Sequence, residues 1–112
     1  MEIVRHQGIE KDFKSLKKFP APRESLEAWE RLFKVKGLKE TPGVEPPYPG
    51  FGVRRIHKAR IVPLGENVGK SHGYRVIFEI LEENLCKVLV FSRHGVYSSE
   101  QELINLIKER LE

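Results

Sequence analysis

The sequence predicts one α+β domain spanning residues 1–112: an N-terminal helix pair and a C-terminal helix packed on one face of a mostly antiparallel sheet of three to four strands. Three observations predict it. Apolar residues recur at helical spacing from Ile9 to Phe19 and again from Leu26 to Phe33. After a proline- and glycine-rich stretch the pattern changes to runs dense in β-branched and aromatic residues, as strands require. Helical spacing then returns beyond Ser99. At 112 residues the chain has the length of a single domain.

Met1–Val4 reads as a short edge strand. Ile9, Phe13, Leu16 and Phe19, set among lysines, form the apolar stripe of a first helix. Pro20 and Pro22 end it, because each removes a backbone donor and disfavours helix in the residue before it. A second helix should begin near Arg23, with Pro22 suited to its first turn and Gly37 to its stop, and the proline corner suggests that the two lie antiparallel. Thr41–Gly52 holds four prolines and three glycines and reads as a loop. Strands are expected at Val53–Val62, Gly73–Leu81 and Leu85–Ser92. Glu82-Glu83-Asn84 is short enough for a hairpin, and Pro63–His72 is a longer polar connection. Ser99-Glu100-Gln101-Glu102 has the spacing of a capping box, followed by a Leu103/Ile107/Leu111 stripe expected to pack on the sheet as core. That stripe could instead cover a surface for which a partner helix competes.

With 39% hydrophobic and 32% charged residues, the composition is that of a globular protein able to form one core without disulfides or metal. Cys86 is the sole cysteine, so no disulfide framework exists and a reducing, cytoplasmic compartment is expected. No apolar run approaches the ~20 residues of a membrane span, and MEIVRHQGIE lacks a signal-peptide core, so neither a membrane partner nor secretion is expected.

Charge is unevenly placed. The net charge is +4, yet residues 53–75 alone carry six Lys/Arg against the single acid Glu66. A positive field so concentrated suits a polyanion, nucleic acid above all, although a solvated basic strand has the same composition. Strand side chains alternate, which puts Arg54, Ile56, Lys58, Arg60 and Val62 on one face and Arg55, His57, Ala59 and Ile61 on the other. Lys58 and Arg60 then stand side by side, near the spacing of neighbouring phosphates. Arg75 on the next strand and Arg93, His94 and Tyr97 after the third can converge with them if the strands pair in order.

Other chemistries fit poorly. Gly65-Glu-Asn-Val-Gly69-Lys70-Ser71 has three residues between its glycines where a phosphate-binding P-loop needs four, and a strand rather than a helix follows. His6, His57, His72, His94 and Cys86 lack metal-ligand spacing, so neither metal nor cofactor is expected. Cys86 has no sequence neighbour that would activate it as a nucleophile.

Lys58-Ala59-Arg60-Ile61, the loop ending Gly69-Lys70-Ser71-His72-Gly73, and Tyr74-Arg75-Val76-Ile77-Phe78 together resemble the RelE/ParE toxin superfamily, in particular its HigB-type and RelE-like branches. The strand that follows, and Ser92-Arg93-His94 before a Ser-capped acidic helix, are similar to the ends of those chains. Residues 53–112 carry the resemblance; over 1–52 it is one of topology, and the proline-rich loop has no counterpart. The resemblance implies the toxin of a type II toxin–antitoxin system: a small endoribonuclease that cuts mRNA, often in the ribosomal decoding site, and is silenced by a cognate antitoxin. Carried over by position, it implies Lys58, Arg75, His94 and Tyr97 as catalytic residues and Arg60 and Arg93 as RNA-binding ones. Which of Arg93, His94 and Tyr97 serves as acid or base stays open. The charge pattern adds Arg54 and Lys70 to the RNA-binding set.

These residue types suit metal-free cleavage by the RNA 2′-hydroxyl. That reaction needs a base for the 2′-OH, an acid for the departing 5′-oxygen and cations for the phosphate. Arginine remains charged and grips phosphate oxygens in pairs, which suits Arg75 and Arg60. His94 titrates near neutrality, Lys58 could serve if neighbouring cations lower its pKa, and Glu79 is a weaker candidate base. Against this stand plainer roles: an ion pair of Arg75 with Glu79 or Glu82, and a turn position for His94. Two other functions share the fold, a non-catalytic RNA-binding or interaction module and a ParE-type gyrase inhibitor. The second has no need of a phosphate-binding triad.

Overall fold

Seven elements run in the order β1 (Glu2–Arg5), α1 (Ile9–Ser15), α2 (Pro22–Glu40), β2 (Ile56–Ile61), β3 (Tyr74–Glu82), β4 (Leu85–Arg93) and α3 (Glu100–Leu111). The structure, a computed structural model, describes residues 1–63, 73–93 and 95–112. The class is α+β, with three helices and one four-stranded sheet ordered β1-β4-β3-β2. β2–β3 and β3–β4 pair antiparallel while β1 joins β4 in parallel, so the sheet is mixed.

The helices do not share a face. Ile9, Phe13 and Leu16 of the α1 region and Leu26, Trp29 and Phe33 of α2 pack with Ala59, Val76, Phe78, Val88 and Phe91 on one side of the sheet. Leu103 and Ile107 of α3 pack with Ile56, Ile77, Leu89 and Val90 on the other. This corrects the expectation of helices on one face only. The stripe spacing of α3 reveals that it has an apolar side, but not which side of the sheet receives it. α1 is also shorter than expected. It ends at Ser15, and Leu16–Phe19 form a turn closed by Phe19 N–H donating to Leu16 O at 2.9 Å, because Pro20 cannot continue a helix. α2 runs past Gly37, which takes φ +75° and breaks the helix there, to Thr41, whose N–H and hydroxyl both donate to Gly37 O. β2 begins at Ile56 rather than Val53, since Arg54 N–H closes a turn onto Phe51 O.

The proline-rich segment is not a free loop. It runs along the outer edge of β2: Arg60 N–H donates to Gly43 O (3.0 Å), Glu45 N–H to Lys58 O (2.9 Å) and Tyr48 N–H to Ile56 O (2.7 Å). An edge strand with open backbone groups invites pairing with other chains, and this segment closes it. Gly43 makes the approach possible; its φ is +85°, and a Cβ there would lie 2.5 Å from Arg60 O.

The opposite edge is closed differently. β1 pairs with β4 only as far as Val88. Beyond it, Asp12 Oδ2 accepts from Phe91 N–H (2.8 Å) and Arg110 Nη1 donates to Leu89 O (2.8 Å). Side chains of α1 and α3 thus replace the missing strand. Gly8 leaves room for this, because a Cβ there would meet the Arg110 guanidinium at 2.6 Å.

One irregularity in β4 orients everything after it. Ile77 pairs with Val90 and Phe78 with Val88, so Leu89 is an extra residue, a β-bulge. Leu89 and Val90 consequently face the same core, and the alternation is reversed from Phe91 onward. Among the described residues no helix is long and apolar enough to cross a membrane.

Candidate functional site

The sheet register brings the basic residues together. Arg60 stands directly opposite Arg75, Lys58 opposite Ile77, and Arg75 opposite Ser92. Residues paired across antiparallel strands share a face, and diagonal neighbours lie about 7–8 Å apart. Lys58, Arg60, Arg75 and Ser92 therefore lie on the α3 side of the sheet, beyond the apolar contact of Ile77 with Leu103. A cavity of about 260 Å³ opens there, lined by Lys58, Arg75, Ser92, Arg93, Gly95, Tyr97, Ser99, Glu100 and Leu103.

Each wall has a local cause. Lys58 and Arg75 point inward by strand alternation. Ser92 points inward because of the bulge at Leu89. Ser92 is buried, and its hydroxyl sits beside the Tyr97 phenol. Gly95, at φ +86°, turns the chain after β4 toward Tyr97. Ser99 caps α3, its hydroxyl accepting from Glu102 N–H at 3.2 Å, while the Glu102 carboxylate accepts from Ser98 N–H at 3.1 Å. This is a capping box displaced by one residue, and it fixes Glu100 at the cavity rim.

Electrostatics at the site are those of paired and competing cations. Burial, then the charge of Arg60, pulls the Arg75 guanidinium below its ordinary pKa, although it stays charged; its Nη1 donates to Gly73 O at 3.1 Å. Lys58 Nζ lies 3.6 Å from Glu100 Oε1 and 5.4 Å from the centre of the Tyr48 ring. The Tyr48 hydroxyl donates to the same Oε1. Burial and that carboxylate push the Tyr48 phenol upward, so it remains a donor at neutral pH. Burial likewise raises the Tyr97 phenol, as does Asp12, with the nearby Ser92 hydroxyl and Arg110 opposing them. Arg60 Nε donates to Glu45 Oε2 at 2.7 Å.

The residues singled out in the sequence divide into three groups. Lys58, Arg75 and Tyr97 line the cavity, and Arg60 adjoins it across the strand pair. Two arginines direct their charge elsewhere. Arg54 forms two hydrogen bonds with Glu79, of 2.7 and 2.9 Å, outside the cavity lining. The Arg93 guanidinium stacks over Phe19 (4.5 Å) and Tyr74 (4.9 Å) on the opposite face, although the residue also borders the cavity. Lys70 and His94 lie outside the described residues, as do Gly65–Ser71 and His72. Glu79 is held by Arg54, which answers both its candidacy as a base and its pairing with Arg75.

The sequence gives no site role to Tyr48 or Glu100, and Ser92 enters only through the Ser92-Arg93-His94 stretch. The one signal at Tyr48 is an aromatic residue inside a proline-rich stretch, and Glu100 belongs to the Ser99 capping box.

His57 is a packed residue, stacked on Phe78 with Nδ1 2.9 Å from Glu45 O, and His6 Nδ1 accepts from Gly8 N–H. Among the described residues no group of three His, Cys, Asp or Glu side chains gathers as a metal site. No protein-family model, no curated protein and no solved structure matches the chain.

Proposed function

We propose that this chain is a RelE-like endoribonuclease, the toxin of a type II toxin–antitoxin system, which cuts mRNA by attack of a 2′-hydroxyl on the neighbouring phosphate. One observation carries the reading: Lys58, Arg75 and Tyr97 line a single cavity, with Arg60 across the strand from Arg75. Arg75 and Lys58 neutralise the phosphate as charge gathers on it, where fixed cations in a partly buried site act most strongly. The protonated Tyr97 phenol donates to the departing oxygen. The Ser92 hydroxyl, beside the Tyr97 phenol, can donate a hydrogen bond to ribose or phosphate. The partners are mRNA, on or off the ribosome, and a cognate antitoxin, in the cytoplasm.

The test compares wild type with Arg75→Ala on reporter mRNA, with and without translating ribosomes. The nuclease reading expects cleavage that chelators leave intact and that falls by about 10²–10³ in the variant. Equal behaviour of the two proteins overturns it.

A second reading, an RNA-binding module without catalysis, gains support from the acid partners of two cations, Glu100 on Lys58 and Glu45 on Arg60. It expects salt-dependent RNA retention and no cleavage.

A further inference from the structure

The nuclease reading leaves one part unfilled among the described residues: an acceptor for the proton of the attacking 2′-hydroxyl. Lys58, Arg75 and Tyr97 offer donors to a phosphate rather than an acceptor for that proton. The carboxylates beside the basic residues are committed, all but one. Glu79 gives both oxygens to Arg54, and Glu45 Oε2 is bonded by Arg60 outside the cavity lining. Glu100 is the one carboxylate lining the cavity among the described residues.

Its attachment is one-sided. The Tyr48 hydroxyl and the Lys58 ammonium both address Oε1, and no described residue is bonded to Oε2. The carboxylate is thus anchored by one oxygen and presents the other, with the side chain still 59% exposed. The first turn of α3, capped by Ser99, favours an anion at that place. A base must be held in position and able to reach the substrate, and Glu100 meets both requirements.

We propose that Glu100 is the general base of the reaction, resting on the ribonuclease reading above, with Tyr48 as the residue that positions it. Glu100 Oε2 takes the 2′-hydroxyl proton as the bond from the 2′-oxygen to phosphorus forms. The bond from phosphorus to the 5′-oxygen breaks, and that oxygen receives the Tyr97 phenolic proton. The products are a 2′,3′-cyclic phosphate and a 5′-hydroxyl, and proton exchange with water restores both side chains. No metal or other co-reactant enters the balance.

The experiment uses the full chain with the RNA or ribosome–mRNA substrate on which wild type is active, comparing Glu100→Gln, Glu100→Asp and Tyr48→Phe. Glu100→Gln should keep wild-type RNA retention and thermal stability, lose about 10²–10⁴ in single-turnover cleavage, and lose the acidic limb of the pH–rate profile. Glu100→Asp should recover part of the rate, and Tyr48→Phe should lower the rate while keeping the limb. Unchanged cleavage by Glu100→Gln overturns the assignment alone. Faster cleavage also overturns it, by showing that the carboxylate competes with the phosphate for Lys58. If wild type cleaves neither substrate, the nuclease reading and this assignment fall together.

Discussion

Asp12 and Arg110, 98 positions apart in the chain, hold each other through two hydrogen bonds of 2.7 and 2.8 Å while each also serves the backbone of β4. Both are almost wholly buried. Removing one leaves the other charge uncompensated and one β4 backbone group unpaired. Asp12→Ala and Arg110→Ala should each cost about 3–5 kcal/mol, read from urea denaturation. The double variant should cost clearly less than the sum, because its second truncation removes a charge already stranded. Strict additivity would show that the pair is not the unit described.

Gly43→Ala tests the closure of the β2 edge. A left-handed backbone with a side chain costs about 1–2 kcal/mol, and here the added Cβ also meets Arg60 O. The expected result is faster hydrogen exchange at Glu45 N–H and Tyr48 N–H, with lower thermal stability. Wild-type exchange at both amides would mean that the segment holds to β2 without the close approach.

Cys86 gives a pH dependence whose sign is fixed by burial. Burial, with a contribution from Glu30, pushes the thiol from 9.0 up to about 12. Between those values the unfolded chain has lost its thiol proton while the folded chain keeps it, so folding stability declines as pH rises. The slope attributable to this group approaches about 1.4 kcal/mol per pH unit. The difference in stability between wild type and Cys86→Ala should narrow from pH 9 upward, and iodoacetamide should label Cys86 only in the unfolded protein. Rapid labelling of the native protein at pH 8 would contradict this.

The His6 imidazole is held below its ordinary pKa by burial and by the charges of Arg110 and Lys87, and its Nδ1 accepts from Gly8 N–H. Its neutral form contributes stability above pH 6.5, and that contribution is lost as pH falls through the lower folded value. His6→Asn should flatten the stability profile below pH 6.5. A variant with the wild-type slope there would clear His6 of any part in it.

Salt dependence of RNA retention separates the arginines. Neutralising Arg60 or Arg75 should each reduce the logarithmic salt slope by about one contact. Arg54→Ala should leave the slope unchanged, because its guanidinium is bound to Glu79 outside the cavity. A reduced slope for Arg54→Ala would place the RNA path along the start of β2 instead.

What could be read in advance was local. Ser99 as a cap, a hairpin connection within Glu82-Glu83-Asn84 and the shared face of Lys58 and Arg60 each depend on a few consecutive residues, and a period of two is enough for the last. What could not be read depends on distant pairing. Nothing near Asp12 in the chain announces Arg110. The backbone bonds of Gly43, Glu45 and Tyr48 leave no mark on a stretch whose prolines suggest a loop. Val88-Leu89-Val90-Phe91 is apolar throughout, so it conceals where alternation shifts. Tyr48 and Glu100 come together only because α3 crosses the face that the edge segment flanks, and no local pattern encodes that crossing.

The bulge at Leu89 decides which side chain at the end of β4 forms the cavity wall. Loss of Leu89 would leave Ser92 and Arg93 where they are. Were Leu89 instead to take a regular place in the ladder, alternation would carry Ser92 to the aromatic side and swing Arg93 out from between Phe19 and Tyr74 into the hollow beside Arg75. A neutral hydroxyl would give way to a third guanidinium. A one-residue slip of β4 at this place would therefore exchange the chemistry of the pocket floor while every other strand keeps its register.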